Sequence, residues 1–164
     1  LPNGLSRQIL SPYPQQFVQA PGQLIILYEY MHFFRVIPTD GRAHGQDLEL
    51  TWMGDSVGKW DGDTLVIDTV GLKEWMFDAT HSQDGEGSRW HSDELHMVER
   101  LRFTDRDTVS YQVTIDDPRI FTAPWTQDFG MKRHPTWKLL EFVCEENNRC
   151  EGGVCTEADI QKGR

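Results

Sequence analysis

The sequence predicts an antiparallel all-β domain, a meander closing into a barrel with an extended N-terminal arm, and three observations carry that expectation. Apolar and polar residues alternate through most segments between turns, a strand-turn-strand pattern occurs twice, and helical periodicity is almost absent. Without helices to cover them, six to nine strands in an open sheet would expose long edges, and closure removes edges. At 164 residues and 19.0 kDa the chain is the size of one domain, 1–164, with room for a continuous core and an internal cavity.

Residues 1–23 contain Pro2, Pro12, Pro14 and Pro21 and little periodicity, so they read as the extended arm. From Gln23 to Ile37 the chain is too β-branched and aromatic for a surface helix, and Pro38-Thr39-Asp40-Gly41 ends it in a turn. One long strand, or two with a bend, is expected there. Asp-x-Asp-Thr then appears twice between apolar runs, in Trp60 to Asp68 and again in Phe103 to Val109. Asp and Gly accept the tight dihedrals of a hairpin, so each echo predicts strand, turn and strand. Further strands are expected at Leu95–Phe103, Thr108–Ile115, Ile120–Phe129 and Trp137–Cys144, with an irregular tail over 145–164 that holds a short helix at Thr156–Gln161.

Twenty-six acidic against 16 basic residues give a net charge of −10, which repels a polyanion, and no basic patch is visible to override it. Nucleic acid is therefore not an expected partner. The longest apolar run, Leu24 to Tyr28, falls far short of the roughly 20 residues of a membrane-spanning helix. Leu1 in place of Met points to a processed form or a fragment, compatible with secretion. In Cys150-Glu-Gly-Gly-Val-Cys155 the glycines let a short disulfide loop close. Cys144 is left as an inert buried thiol or the partner of an upstream cysteine.

The run Gly54-Asp-Ser-Val-Gly-Lys-Trp-Asp-Gly-Asp-Thr-Leu-Val-Ile-Asp-Thr69 resembles the signature of a family of uncharacterised secreted bacterial proteins. Similarity continues in order and spacing through Trp75 and Asp78, His91 to Arg100, Thr114 to Pro118, Pro124-Trp125 and Leu140 to Asn148. It covers most of 12–148; the Gln83–Arg89 loop and the cysteine tail depart from it. The resemblance implies an exported leader and a further segment ahead of this chain, hence a secreted or periplasmic location. More loosely, the strand-rich layout is similar to lipocalin-like barrels, which include ligand carriers, lyases and isomerases.

Strand alternation selects the candidate chemistry, because residues two apart share a face. On Leu95–Phe103 it groups Leu95, Met97, Glu99, Leu101 and Phe103. The same logic places Glu141 with Trp137, Leu139 and Val143, and Glu29 with Leu27, Met31 and Phe33. A carboxylate on an apolar face is costly unless it is paired, hydrogen-bonded or protonated. Catalysis is one reason to keep it, since burial raises its pKa into the range of a general acid or base. The bland alternatives are a structural ion pair, for instance with Arg35, Arg100 or Arg102, or a strand edge that faces water. Tyr28, Tyr30, His32 and Phe34 are expected to share the opposite face of the first strand, as a ligand-orienting row or as plain core. His91 and His96, with Asp78 nearby, are the candidate ligands of a divalent metal, although on a strand His96 and Glu99 should face opposite ways. No serine nucleophile elbow and no phosphate loop is present.

These readings converge on an exported, cofactor-independent enzyme of lyase or isomerase type acting on a small aromatic or polyhydroxylated molecule. Its expected acid-base groups are Glu99, Glu29, Glu141, Tyr28 and Tyr30, and its expected ligand contacts His32, Arg35, Trp60, Arg100 and Trp125. A non-catalytic carrier and a His/carboxylate metalloprotein are the alternatives, and homo-oligomerisation is left open.

Overall fold

The computed structural model describes residues 4–9, 11–77 and 89–142. Within them the protein is mostly β, built from antiparallel sheets, with one short helix α1 (Gly4–Gln8). A three-stranded sheet orders β1 (Gln15–Ala20), β2 (Gln23–Tyr28) and β3 (Phe34–Pro38) side by side. A five-stranded sheet runs β10-β9-β8-β5-β4, from β4 (Asp55–Asp61), β5 (Thr64–Val70), β8 (His96–Phe103), β9 (Thr108–Asp116) and β10 (Trp125–Lys132). Two short strands, β6 (Trp75–Met76) and β7 (Trp90–His91), pair separately. No described helix is long and apolar enough to cross a membrane, which says nothing about strands.

Both Asp-x-Asp-Thr echoes are hairpins. In the first, Asp61 pairs with Thr64 around a turn in which Gly62 adopts φ +61°. In the second, Phe103 pairs with Val109, and Asp107 N–H is held by the Asp105 carboxylate.

The expected long strand is two strands with a bend. Met31 and His32 take left-handed backbone conformations, and Tyr28 N–H donates to Phe33 C=O across the turn. That turn breaks the alternation, so Tyr28, Tyr30, His32 and Phe34 do not share a face: Tyr28 is buried in the core and Phe34 is 62% exposed. The arm is also corrected. Its residues form the buried helix α1, with Leu5 wholly enclosed, and then β1, which turns through Pro21-Gly22 and pairs along all of β2. The strand expected from Trp137 is absent over 137–142, where the backbone N–H groups of Leu140 and Phe142 bond to side chains instead of a ladder. Strand β10 starts later than expected, because Ile120 and Phe121 donate to Asp117 C=O in a turn. The cysteines, the tail helix and Asp78 lie outside the described residues.

The inner faces of both sheets supply one apolar cluster, including Leu24, Ile26 and Ile37 from the first and Leu65, Ile67, Met97, Leu101, Val113 and Ile115 from the second. The sheets meet where β3 passes β4 at Gly58. A Cβ there would sit 3.3 Å from both Ile37 Cγ2 and Pro38 O, so glycine permits the approach. The described strands do not close into a barrel.

Candidate functional site

Alternation on β8 does put Glu99 on the inner face, 1% exposed, level with Ile67 of β5 and Val113 of β9. Arg35, an inward residue of β3 together with Ile37, reaches it from the other sheet. Its Nη1 and Nη2 donate to Glu99 Oε1 and Oε2 at 3.0 and 2.6 Å, a two-pronged pairing that suits a planar guanidinium. Nη2 also donates to Ser56 Oγ at 2.9 Å and Thr69 Oγ1 at 3.1 Å, while Nη1 reaches Tyr28 OH at 3.4 Å. Tyr111 of β9 donates its O–H to Glu99 Oε1 at 2.6 Å.

The electrostatics follow from burial. Desolvation opposes the Arg35 charge, but the Glu99 carboxylate outweighs it and raises the guanidinium pKa. Burial, assisted by the Glu99 charge, raises both phenols, Tyr111 well above the ordinary tyrosine range, so both stay protonated. Only Arg35 Nε in this group lacks a hydrogen-bond partner among the described residues.

Above this cluster lies a cleft of about 1090 Å³ between β1 and β2 on one side and β8 to β10 on the other. Leu24, Leu65, Leu101, Tyr111 and Phe129 form its inner surface. Residues 133–139 after β10 form a strap along it. The strap is fastened beyond the cleft, where Leu140 N–H donates to Glu29 Oε2 at 2.9 Å and Phe142 N–H to His32 Nε2 at 2.8 Å. Phe142 packs there on Tyr30, which stacks on Tyr13.

The expected site residues are thereby scattered. Of those among the described residues, only Trp60 lines the cleft. Glu99, Arg35 and Tyr28 form the buried cluster, with Tyr111 between it and the cleft. Glu29, His32 and Tyr30 hold the strap. Glu141 is exposed, not buried on an apolar face, because no strand forms there to turn it inward. Arg100 is exposed on the outer face of β8, and Trp125 packs with Phe77 and Phe121 at the other end of β10.

The two histidines proposed as metal ligands take separate partners. His91 is buried, with Nε2 3.0 Å from Ser6 Oγ and Nδ1 3.0 Å from Ser92 C=O, and burial lowers its pKa. His96 Nε2 lies 3.0 Å from both oxygens of Asp68. Among the described residues no three His, Cys, Asp or Glu side chains converge as a metal site.

Two groups of residues were not singled out in the sequence. Tyr111, Phe129 and Met131 were accessible to the same alternation that found Glu99. The other is a chain of His44 and two aspartates on the outer face of the large sheet: His44 Nδ1 is 2.6 Å from Asp55 Oδ2, and Nε2 is 2.8 Å from Asp68 Oδ1. Burial works against the charge on His44, but the two carboxylates outweigh it and raise its pKa. Asp68 is affected in the mirror sense: burial would raise its pKa, and the hydrogen bonds from His44 and His96 bring it below the usual value. No local signal ties His44, in an irregular loop, to these strands. Compared with models of known families, with curated proteins and with solved structures, the chain matches none.

Proposed function

We propose that this protein is an exported ligand-binding domain that holds a small, largely apolar molecule in the cleft between its sheets without transforming it. The observation that carries this reading is the placement of the cleft relative to the charge. A cavity of about 1090 Å³ with an apolar inner surface suits a small organic ligand, whereas Glu99 lies behind Tyr111 with both oxygens already engaged. Acid-base chemistry of lyase or isomerase type needs a carboxylate that meets the ligand and exchanges its proton. Glu99 has two guanidinium N–H groups and a phenol to satisfy first. Export is supported by the resemblance of the Gly54–Thr69 run to secreted proteins. We read the two sheets as flanks of an incompletely closed, lipocalin-like barrel whose gap the strap spans.

The test is titration with N-phenyl-1-naphthylamine, a neutral apolar dye that brightens in apolar surroundings. Saturable binding by the native protein is expected. A Val109→Trp variant, which fills the cleft from the inner face of β9, should lose about tenfold or more in affinity while keeping a cooperative thermal transition. Absence of saturable binding, or unchanged binding in a folded Val109→Trp variant, rejects the cleft as the site.

A further inference from the structure

We infer that the ligand of this cleft is an amphipathic organic anion, an apolar body carrying one carboxylate or similar oxyanion; the inference rests on the cleft being a binding site. The chain has 26 acidic and 16 basic residues, so a lining drawn in that proportion would be mostly acidic. The cleft reverses it. Arg102, Lys132, Arg133 and Lys138 line it against a single carboxylate, Asp63.

Of these cations, Arg102 and Lys132 stand at the rim of the cleft, on the outward alternation of β8 and β10 near the ends of those strands, Arg133 follows β10 and Lys138 sits on the strap, while Leu24, Leu65, Leu101 and Phe129 supply apolar surface. Their internal engagements are weak. Arg102 faces Asp63 at 3.8 Å and Arg133 faces Asp107 at 3.6 Å, both longer than a hydrogen bond, and all four residues are exposed. Lys132 Nζ donates to a neutral partner, Thr108 Oγ1, at 2.6 Å. Lys138 makes no ion pair among the described residues. An incoming oxyanion therefore displaces little, and it gains several N–H donors where its apolar body is already out of water. A neutral ligand gains nothing from the cations. A polyanion would meet the net negative field of the rest of the chain.

Two dyes that share one body separate these cases: N-phenyl-1-naphthylamine and its sulfonated relative 8-anilinonaphthalene-1-sulfonate. The native protein is expected to bind the sulfonate about fivefold or more tightly than the neutral dye. Added salt should weaken the sulfonate selectively, because screening acts on the charge. Lys138→Glu, which breaks no ion pair, should cost the sulfonate about tenfold and the neutral dye much less. Dodecanoate should displace either dye at lower concentration than dodecan-1-ol. If the neutral dye binds as tightly as the sulfonate, and salt and Lys138→Glu affect neither, the anion inference is wrong while the cleft reading stands. If neither dye saturates, both fall together. The salt series needs no variant, so a misfolded Lys138→Glu protein would not spare the inference.

Discussion

Arg35 and Glu99 show what a single buried ion pair demands of its surroundings. Removing two charges from water costs several kcal/mol per ion, and only a fully engaged geometry recovers it. Here the guanidinium meets the carboxylate with two nitrogens, Tyr111 takes a further lone pair, and Ser56 and Thr69 also accept from Nη2. Breaking the pair from one side should therefore be severe. Glu99→Gln, which leaves Arg35 charged and buried, is expected to lower unfolding free energy by about 3–5 kcal/mol. Arg35→Met with Glu99→Gln should recover part of that loss, because no uncompensated charge remains. Urea denaturation of the three proteins checks this, and a double variant no more stable than the single one would contradict it. Alternation alone made the burial of Glu99 legible, and an arginine partner followed from the cost of burial. That the partner is Arg35 depended on how one sheet folds onto the other, which strand periodicity does not encode. Glu141 misled the same reasoning, because its face was assigned to a strand that does not form.

The elements are held by local devices of different visibility. The loop after β3 is fixed to the large sheet by His44, whose two ring nitrogens both face carboxylates and therefore both carry protons in the charged ring. A raised folded-state pKa means that His44 stabilises fully below its ordinary value of 6.5 and loses that contribution as pH rises through the folded value. The lowered pKa of Asp68 works from the other side: its contribution is present above the ordinary 3.8 and disappears as pH falls through the folded value. The contact is thus strongest between those limits. His44→Gln should cost about 0.5–1 kcal/mol near pH 5.5, a small figure because Asp68 is over a third exposed and solvent screens the pair. The loss should shrink towards pH 9, and a pH-independent difference in urea midpoints would refute the assignment. Gly54, which leads into β4 at φ +69°, is a second device. A Cβ there would meet Val70 O at 2.7 Å, so Gly54→Ala should cost about 2 kcal/mol or more, whereas Gly62→Ala, with open space around it, should cost about 1 kcal/mol by thermal unfolding. The hairpins were readable because their turn chemistry is local. Strand β1 was equally local, with Pro21-Gly22 turning it into β2, but the prolines of residues 1–23 suggested an extended arm. The bend at Met31 and His32 had no such signal, since methionine does not favour a left-handed backbone and histidine adopts one too seldom to mark a turn by itself.

At the scale of the molecule, the all-β class was legible from alternation and turn spacing, while the gap between the sheets was not. Closure depends on which edges find each other. Of the edges of the two main sheets, β3 and β4 meet at Gly58, whereas β1 and β10 flank a cleft with the strap along it. The cationic lining was hidden for the same reason: Arg102 and Lys138 are distant in sequence, and a net charge of −10 masks a local excess of the opposite sign. The Arg35–Glu99 pair has one more consequence, for the order in which the chain assembles. Strands β1 to β3 can pair as neighbours in sequence, and so can β8 to β10, but the guanidinium meets its carboxylate across 64 positions. Loops of that length close slowly, and a charge cannot leave water before its counter-charge is in place. The two sheets should therefore form first and dock last, with the pair absent from the folding transition state. Stopped-flow measurements on Glu99→Gln are expected to show unfolding accelerated by most of the lost stability and refolding nearly unchanged. The pair then acts on how long the native state lasts more than on how quickly it is reached.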